Sequence, residues 1–135
     1  MKIAERRSLE TLPLPGRLLQ KAVGADSSIV TSTMTVGFAR YCPEAGPMEP
    51  HHHAEETVVV LDAQNAFVRR GEVKDRLEAR IPLSPHMVMH FAEDEWHVFE
   101  YDEDGFLDIL FIYGSTDNIR PEEKVSTESF RPMRV

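Results

Sequence analysis

Short apolar segments alternate with turn-forming residues from about residue 28 to residue 114. Each segment is rich in β-branched or aromatic residues and is bounded by Gly, Pro, Asp or Asn, which is typical of short strands. The segments are IVTSTMTVGFARY, EETVVVLDA, NAFVRRG, EARIPL, HMVMHFA, WHVFEY and FLDILFIYG. Closely spaced strands without long helices between them predict an all-β sandwich or barrel.

Alternation within TMTVGFARY is that of a half-buried strand, because successive side chains on a strand point to opposite faces. The larger apolar side chains share one face: Met34, Val36 and Phe38. Helix is scarce in the rest of the chain. GRLLQKAV, at 16–23, predicts about two helical turns, and RPEEKV, at 120–125, predicts the start of another with Pro121 in the first turn.

The length of 135 residues predicts one domain, residues 1–135, with a core at about 28–114, an N-terminal arm and a C-terminal tail. Fifteen Lys and Arg against 23 Asp and Glu give a net charge of -8, which argues against nucleic acid and anionic membranes as partners. No apolar run is long enough to cross a bilayer. A single cysteine, Cys42, excludes an internal disulfide, and we expect a cytoplasmic protein.

Candidate chemistry is concentrated in MEPHHHAEETVVVLD, residues 48–62, where three histidines precede a strand. On an extended chain His51 and His53 share a face and His52 points away, so His52 is excluded. Two imidazoles and a nearby carboxylate suit a transition metal. His97, in EWHVFEY, is the best candidate for a ligand from elsewhere in the chain. The alternative is a solvated polar turn.

These residues resemble the motifs of the cupin superfamily. GPMEPHHHAEETVVVLDA follows the order of the first motif, from a glycine through a histidine pair and a glutamate to the closing position at Ala63. HMVMHFAEDEWHVFEY aligns His97 with the histidine of the second motif. The Gly, Pro, Gly and Asn of that second motif fall on other residues here: His86, Ala92, Asp94 and Tyr101.

The resemblance leaves two sets of metal ligands open. In the favoured set His51, His53 and His97 act with Glu56, which shortens the family's gap between histidine and glutamate. In the other set Glu49 takes the position of the family's first histidine and His51 that of the second, as in cupins such as ureidoglycine aminohydrolases. Glu55 or Glu56 and His97 complete that set. Residue parity favours Glu55 over Glu56, and a bulge would reverse that choice.

The resemblance implies a cupin-type jelly-roll barrel of antiparallel strands with little helix, holding a divalent transition metal: Fe, Mn, Zn or Ni. Such a barrel encloses a ligand cavity. The candidate pocket residues are Phe38, Arg40, Met89, Trp96 and Phe99. A buried Arg40 would grip a substrate carboxylate, whereas a surface position would leave it structural.

The first functional hypothesis is a metal-dependent enzyme acting on a small carboxylate-bearing metabolite. Oxygenase-like chemistry is favoured, with lyase, isomerase and hydrolase chemistry open. The second is a non-catalytic cupin that binds or senses a small ligand. The third is a metal-free relic, suggested by the lost glycines, although Asp94 could instead orient the ring of His97. Uncovered strand edges favour a homodimer.

Overall fold

The computed structural model describes residues 1–114, and its regular structure is almost entirely β. The strands are β1 (Leu12–Leu14), β2 (Arg17–Gly24), β3 (Ile29–Val30), β4 (Thr35–Tyr41), β5 (Glu56–Gly71), β6 (Ile81–Pro82), β7 (Val88–Phe91) and β8 (Trp96–Tyr113). Two three-residue 3-10 helices, Arg6–Ser8 and Pro43–Ala45, complete the described part. Within it, no helix has the length and apolarity to span a membrane. The helix expected at 120–125 and the C-terminal tail lie outside these residues.

All eight strands belong to one sheet in the order β1-β2-β4-β8-β5-β6, with β3 beside β2 and β7 beside β5. Every pairing is antiparallel except the two-residue contact between β2 and β3. The long strands β5 and β8 form the centre, paired from Glu56 opposite Tyr113 to Gly71 opposite Trp96. The predicted all-β architecture is confirmed.

Two pairs of predicted short strands are continuous in the structure. EETVVVLDA and NAFVRRG merge into β5, and WHVFEY and FLDILFIYG merge into β8. Irregularities stand where the turns were expected. In β5 the register shifts between Gln64 and Ala66 and Asn65 has a positive φ, and in β8 Glu103 has a positive φ. These bulges bend the long strands and do not end them.

The segment GRLLQKAV was expected to be helical, and that expectation is wrong, because it forms β2. Pro15 and Gly16 make a tight turn that pairs Leu14 with Arg17, and Gly16 has a φ of 87°, which favours glycine. Pairing with β1 and β4 then overrides the helical propensity of the segment. The sheet therefore begins at Leu12 and includes part of what was expected to be an arm before residue 28.

One face of the sheet, here called the inner face, carries the core. It holds the most buried apolar side chains of the central strands: Ala39, Val58, Val60, Leu107, Ile109 and Phe111, all between 0% and 3% exposed. On β4 the alternation was predicted correctly, but the inner face carries Gly37, Ala39 and Tyr41 instead of the larger apolar residues. A Cβ on Gly37 would lie 2.6 Å from Cζ of Phe111, so aromatic side chains of β8 already fill that space.

The opposite, outer face of β4 and β8 is covered by the N-terminal segment. Arg6 donates to both carboxylate oxygens of Asp108 at 2.7 and 2.6 Å, and its guanidinium lies 4.5 Å from the ring centroid of Phe38. Gln20 adds hydrogen bonds to Arg6 and to the carbonyl of Leu9. These contacts explain how apolar side chains remain on the outside of β4.

Candidate metal centre

Three histidines from two distant segments meet at one end of the inner face. His51 and His97 lie opposite each other in an isolated antiparallel bridge, exchanging backbone hydrogen bonds of 3.0 and 2.9 Å. His53 follows two residues after His51, and its ring centroid lies 5.2 Å from that of His51 and 5.0 Å from that of His97. One ligand atom from each histidine falls within 4.8 Å of the others, so the three can hold a metal ion.

Glu56 completes this cluster. Its Oε1 lies 3.4 Å from Nε2 of His53 and 3.5 Å from Nε2 of His97, and the residue is only 5% exposed. The chain bends at Ala54, so the simple alternation that favoured Glu55 is broken before β5 begins. Burial raises the pKa of the Glu56 carboxyl, but His53 and His97 lower it by more, to about 2. Glu56 is therefore a carboxylate at neutral pH.

The other candidates near the triplet lie outside the cluster. Glu55 is exposed and pairs with His90 at 2.6 Å. Glu49 is also exposed, and its backbone carbonyl lies 3.2 Å from Nδ1 of His51. His52 points away, as expected, and its ring centroid lies 4.2 Å from that of Trp96.

Backbone carbonyls orient all three clustered rings. Nδ1 of His53 lies 2.8 Å from the carbonyl of Ala54, and Nδ1 of His97 lies 2.8 Å from the carbonyl of Glu95. His51 makes the corresponding contact with Glu49. A carbonyl only accepts, so each Nδ1 must carry the proton, which leaves Nε2 to act as a ligand.

The Nε2 atoms of His53 and His97 are fully buried and have no hydrogen-bond partner within the part of the chain that the structure describes. With neutral rings, two lone pairs would face the ionised carboxylate of Glu56 with no proton between them. A cation, or added protons, must offset that arrangement. The donor set of imidazole nitrogens and one carboxylate oxygen suits a divalent transition metal.

Aromatic rings surround the cluster. Phe91 stacks on His97 with a centroid distance of 4.0 Å and an interplanar angle of 14°, and Tyr113 lies 5.0 Å from His53. Sequence reasoning missed Phe91 and Tyr113 as neighbours of the site. Their proximity follows from the register that pairs both residues with Glu56, and no local pattern indicates it.

The five candidate pocket residues are divided between the two faces. Phe99 is buried on the face of β8 that carries His97, 6.2 Å from it between ring centroids, and Met89 packs against the core. Phe38 and Arg40 face outward, where Arg40 lies 4.3 Å from the ring centroid of Phe106. Trp96 contacts His52. Phe38 and Arg40 therefore do not line the inside, because the inner face of β4 carries small residues, and Trp96 lies beside His52 outside the cluster.

A cavity of about 490 Å³ adjoins Phe99. Its lining includes Pro47, Met48, Arg80 and Glu100. Tyr101 also lines it, with a hydroxyl that donates to the carbonyl of Cys42 at 2.8 Å. Phe99, which shares a face of β8 with His97, therefore also lines this cavity.

No protein-family model matches the chain, and no curated protein is significantly similar to it. Solved structures are similar in fold. A protein from Planctomyces limnophilus matches with a TM-score of 0.66 and 16% identity over 90% of this chain and 92% of its own. The polyketide cyclase RemF from Streptomyces resistomycificus matches with a TM-score of 0.64 and 15% identity over 95% and 93%. Hydroxypropylphosphonic acid epoxidase from S. wedmorenis matches with a TM-score of 0.62 and 13% identity over 84% of this chain and 59% of its own.

The chain has a cupin-type fold. At these identities the likeness is one of fold, and the activity has to be argued from the site. The sheet is accordingly the cupin barrel, and the histidine cluster lies on its inner face.

The backbone keeps a glycine-type conformation at two motif positions that lack glycine. Two residues that stand at glycine positions of the second motif, His86 and Asp94, have φ values of 76° and 63°. Gly46, at the start of the first motif, has a φ of 80°. The left-handed backbone conformation is therefore retained where the glycine is not, and Asp tolerates it better than most residues. Asp94 contacts His52, at 3.3 Å, and does not orient the ring of His97 as one hypothesis had it.

Proposed function

We propose that this cupin binds one divalent transition metal, Fe, Mn, Zn or Ni, through Nε2 of His51, His53 and His97 and the carboxylate of Glu56. The observation that carries the proposal is the pair of buried Nε2 atoms that face an ionised carboxylate while the Nδ1 atoms bond to carbonyls. Metal ligation requires neutral imidazole rings that are held in a fixed orientation.

The proposed activity is that of a metal-dependent enzyme acting on a small carboxylate-bearing molecule. Three neutral imidazoles and one carboxylate cancel only one of the two positive charges of a divalent ion, so the occupied site would favour an anionic ligand. When bound, the metal supplies Lewis acidity or redox chemistry. The chain itself holds the rings in orientation, and Phe91 and Tyr113 pack against His97 and His53.

The reaction type is proposed only as a class. Proteins of similar fold include a polyketide cyclase, hydroxypropylphosphonic acid epoxidase and DMSP lyases, which differ in chemistry. Oxygenase-like chemistry is the first to test, because a site of histidines and one carboxylate suits iron. Lyase, isomerase and hydrolase chemistry follow, and a non-catalytic sensor is the alternative.

The first experiment is metal analysis by plasma mass spectrometry on protein purified without a His-tag, beside His97→Ala and the surface control His90→Ala. We expect a near-stoichiometric transition metal in the wild type and in His90→Ala, and its loss in His97→Ala. Small carboxylic acids would then be screened for turnover with and without oxygen. Metal in none of the three, and no binding of added Fe, Mn, Zn or Ni, would contradict the proposal. Ligand binding without turnover would favour the sensor.

We also propose that the protein is a cytoplasmic homodimer. Val30 and Val88 are 67% and 66% exposed and lie on short strands at the margins of the sheet. Edge strands with exposed apolar side chains are commonly covered by a second copy. Light scattering on the purified chain measures the mass directly, and a monomer at all concentrations would contradict this expectation.

A further inference from the structure

A single turn touches two of the proposed metal ligands. The turn, residues 92–95, joins β7 to β8. The backbone N–H of Asp94 donates to the carbonyl of His53 at 2.8 Å, and the carbonyl of Glu95 accepts from Nδ1 of His97 at 2.8 Å. The position of this turn therefore decides how His53, in the segment before β5, and His97, on β8, stand relative to each other.

The side chain of Glu95 holds the turn from two sides. Its Oε1 accepts a hydrogen bond of 2.9 Å from the backbone N–H of Ala92, which closes the turn on itself. Its Oε2 accepts from Nε of Arg70 at 2.5 Å. Arg70 in turn donates to Glu78 at 2.7 Å. The turn is thus tied to β5 through charged hydrogen bonds, which are stronger than neutral ones.

Arg70 is well placed for this task. It lies directly opposite His97 in the pairing of β5 with β8, so the two side chains share one face of the sheet. Glu95 precedes His97 by two residues and is only 17% exposed at its side chain. The same residue therefore supplies the carbonyl that orients His97 and the carboxylate that anchors that carbonyl.

We propose that Glu95 and Arg70 are positioning residues for the metal centre: by fixing the turn at residues 92–95 they hold the His97 ring in the orientation and tautomer that ligation needs. This inference rests on the proposed metal site. Outer partners of metal-ligating histidines typically change affinity by about 10- to 100-fold when removed. We expect a loss of that size for Glu95→Ala and Arg70→Ala, with a smaller loss for Glu95→Gln, which keeps an acceptor for Ala92.

The chain offers a matched control in Arg80. Like Arg70, it joins two carboxylates, with contacts of 2.9 Å to Glu100 and 3.0 Å to Asp102, and its side chain is 39% exposed against 29% for Arg70. Within the described residues its hydrogen bonds and ring contact are to Glu100, Asp102 and Phe67, none of which belongs to the histidine cluster or to the turn. Arg80→Ala therefore removes a comparable ion-pair network at a distance from the site, and we expect its metal affinity to stay within about twofold of wild type.

The experiment is an anaerobic titration of metal-free protein with Co²⁺, which reports affinity together with the visible absorption bands that depend on ligand geometry. Variants are the four named above, Arg70→Lys and His97→Ala, each checked for folding by circular dichroism. The expected result is weaker binding and shifted bands in Glu95→Ala and Arg70→Ala, partial rescue by Glu95→Gln and Arg70→Lys, and wild-type behaviour in Arg80→Ala.

Different failures are distinguishable. One outcome would overturn the positioning role alone: all four variants of Glu95 and Arg70 fold and bind Co²⁺ with the affinity and absorption bands of wild type, while His97→Ala does not bind. The metal site itself would then stand. An equal loss in Arg80→Ala would also overturn the positioning role, because the effect would then be general destabilisation. Wild-type protein that binds no Co²⁺ overturns the proposed function and this inference together.

Discussion

The six histidines of the chain form two groups of three that differ in their surroundings. His51, His53 and His97 lie inside, with each Nδ1 held by a backbone carbonyl. The other three lie outside: His52, His86 and His90. His90 is bonded at both nitrogens to side chains, with Thr57 at 2.8 Å and Glu55 at 2.6 Å.

This comparison shows what distinguishes a candidate ligand from a surface histidine in a cupin barrel. Sequence neighbourhood is not the criterion, since His52 lies between two inner histidines. A carbonyl tether at Nδ1 matters because it fixes the proton there and directs Nε2 toward the interior. At His90 a carboxylate already occupies Nε2, so that nitrogen is committed to a surface pair of small energetic value.

The largest expected difference is within the histidine triplet. His51→Ala and His53→Ala each remove a proposed ligand, and we expect metal affinity to fall by more than the roughly 100-fold typical of losing an outer partner. His52→Ala should leave affinity unchanged, because its ring lies against Trp96. Calorimetric titration with Zn²⁺ on all three variants measures this, and equal losses in all three would erase the distinction between the two faces.

The next largest effect is the contribution of Glu56 to the pH dependence of the free energy of unfolding. The pKa of Glu56 in the folded protein, about 2, lies below the ordinary value of 4.5 for a glutamate carboxyl. A lowered pKa stabilises the folded state above the unfolded value, and this contribution is lost as pH falls from about 4.5 toward 2. It amounts to about 3 kcal/mol at most for a shift of this size. Urea unfolding of metal-free protein between pH 2 and 6 should show the wild type losing its advantage over Glu56→Gln as pH falls.

The control for this experiment is Glu55→Gln on the outer face. Glu55 is exposed and, within residues 1–114, pairs with the surface residue His90, so its replacement should leave the pH profile close to that of wild type. A difference between wild type and Glu56→Gln that is constant across this pH range would contradict the role assigned to the inner carboxylate.

A smaller effect is expected at His86, an outer histidine whose backbone is left-handed. Its φ of 76° favours glycine, so His86→Gly should be more stable than His86→Ala by about 1 kcal/mol. Urea midpoints of the two variants compare this directly. If His86→Ala proves as stable as His86→Gly, the backbone there is not under the constraint that the second cupin motif implies.

The smallest effect is expected for His90→Ala. Exposed charged pairs contribute between about 0 and 1 kcal/mol, so loss of the contacts with Glu55 and Thr57 should change the free energy of unfolding by less than 1 kcal/mol. The metal affinity should not change. A large fall in the free energy of unfolding or in metal affinity would place His90 with the inner histidines and contradict the distinction between the two groups.

Much of the fold could be predicted from local patterns. The strand segments between residues 29 and 114 were identified because their alternation and turn residues are local signals. Two errors have nonlocal causes. The segment that forms β2 has helical propensity but pairs on both sides, and β4 carries its larger apolar side chains on the outer face because Phe111 fills the space beside Gly37.

The sequence by itself determined the all-β class, the cupin motifs and the separation of His52 from His51 and His53, because strand periodicity and residue spacing are properties of the chain. Only the tertiary structure decided between Glu55 and Glu56, since the bend at Ala54 resets the alternation. It also brought Glu95 and Arg70 to His97 and moved Arg40 to the outside. Those contacts depend on the register of β5 against β8 and on the volume left inside the barrel, which are set by residues far apart in the chain.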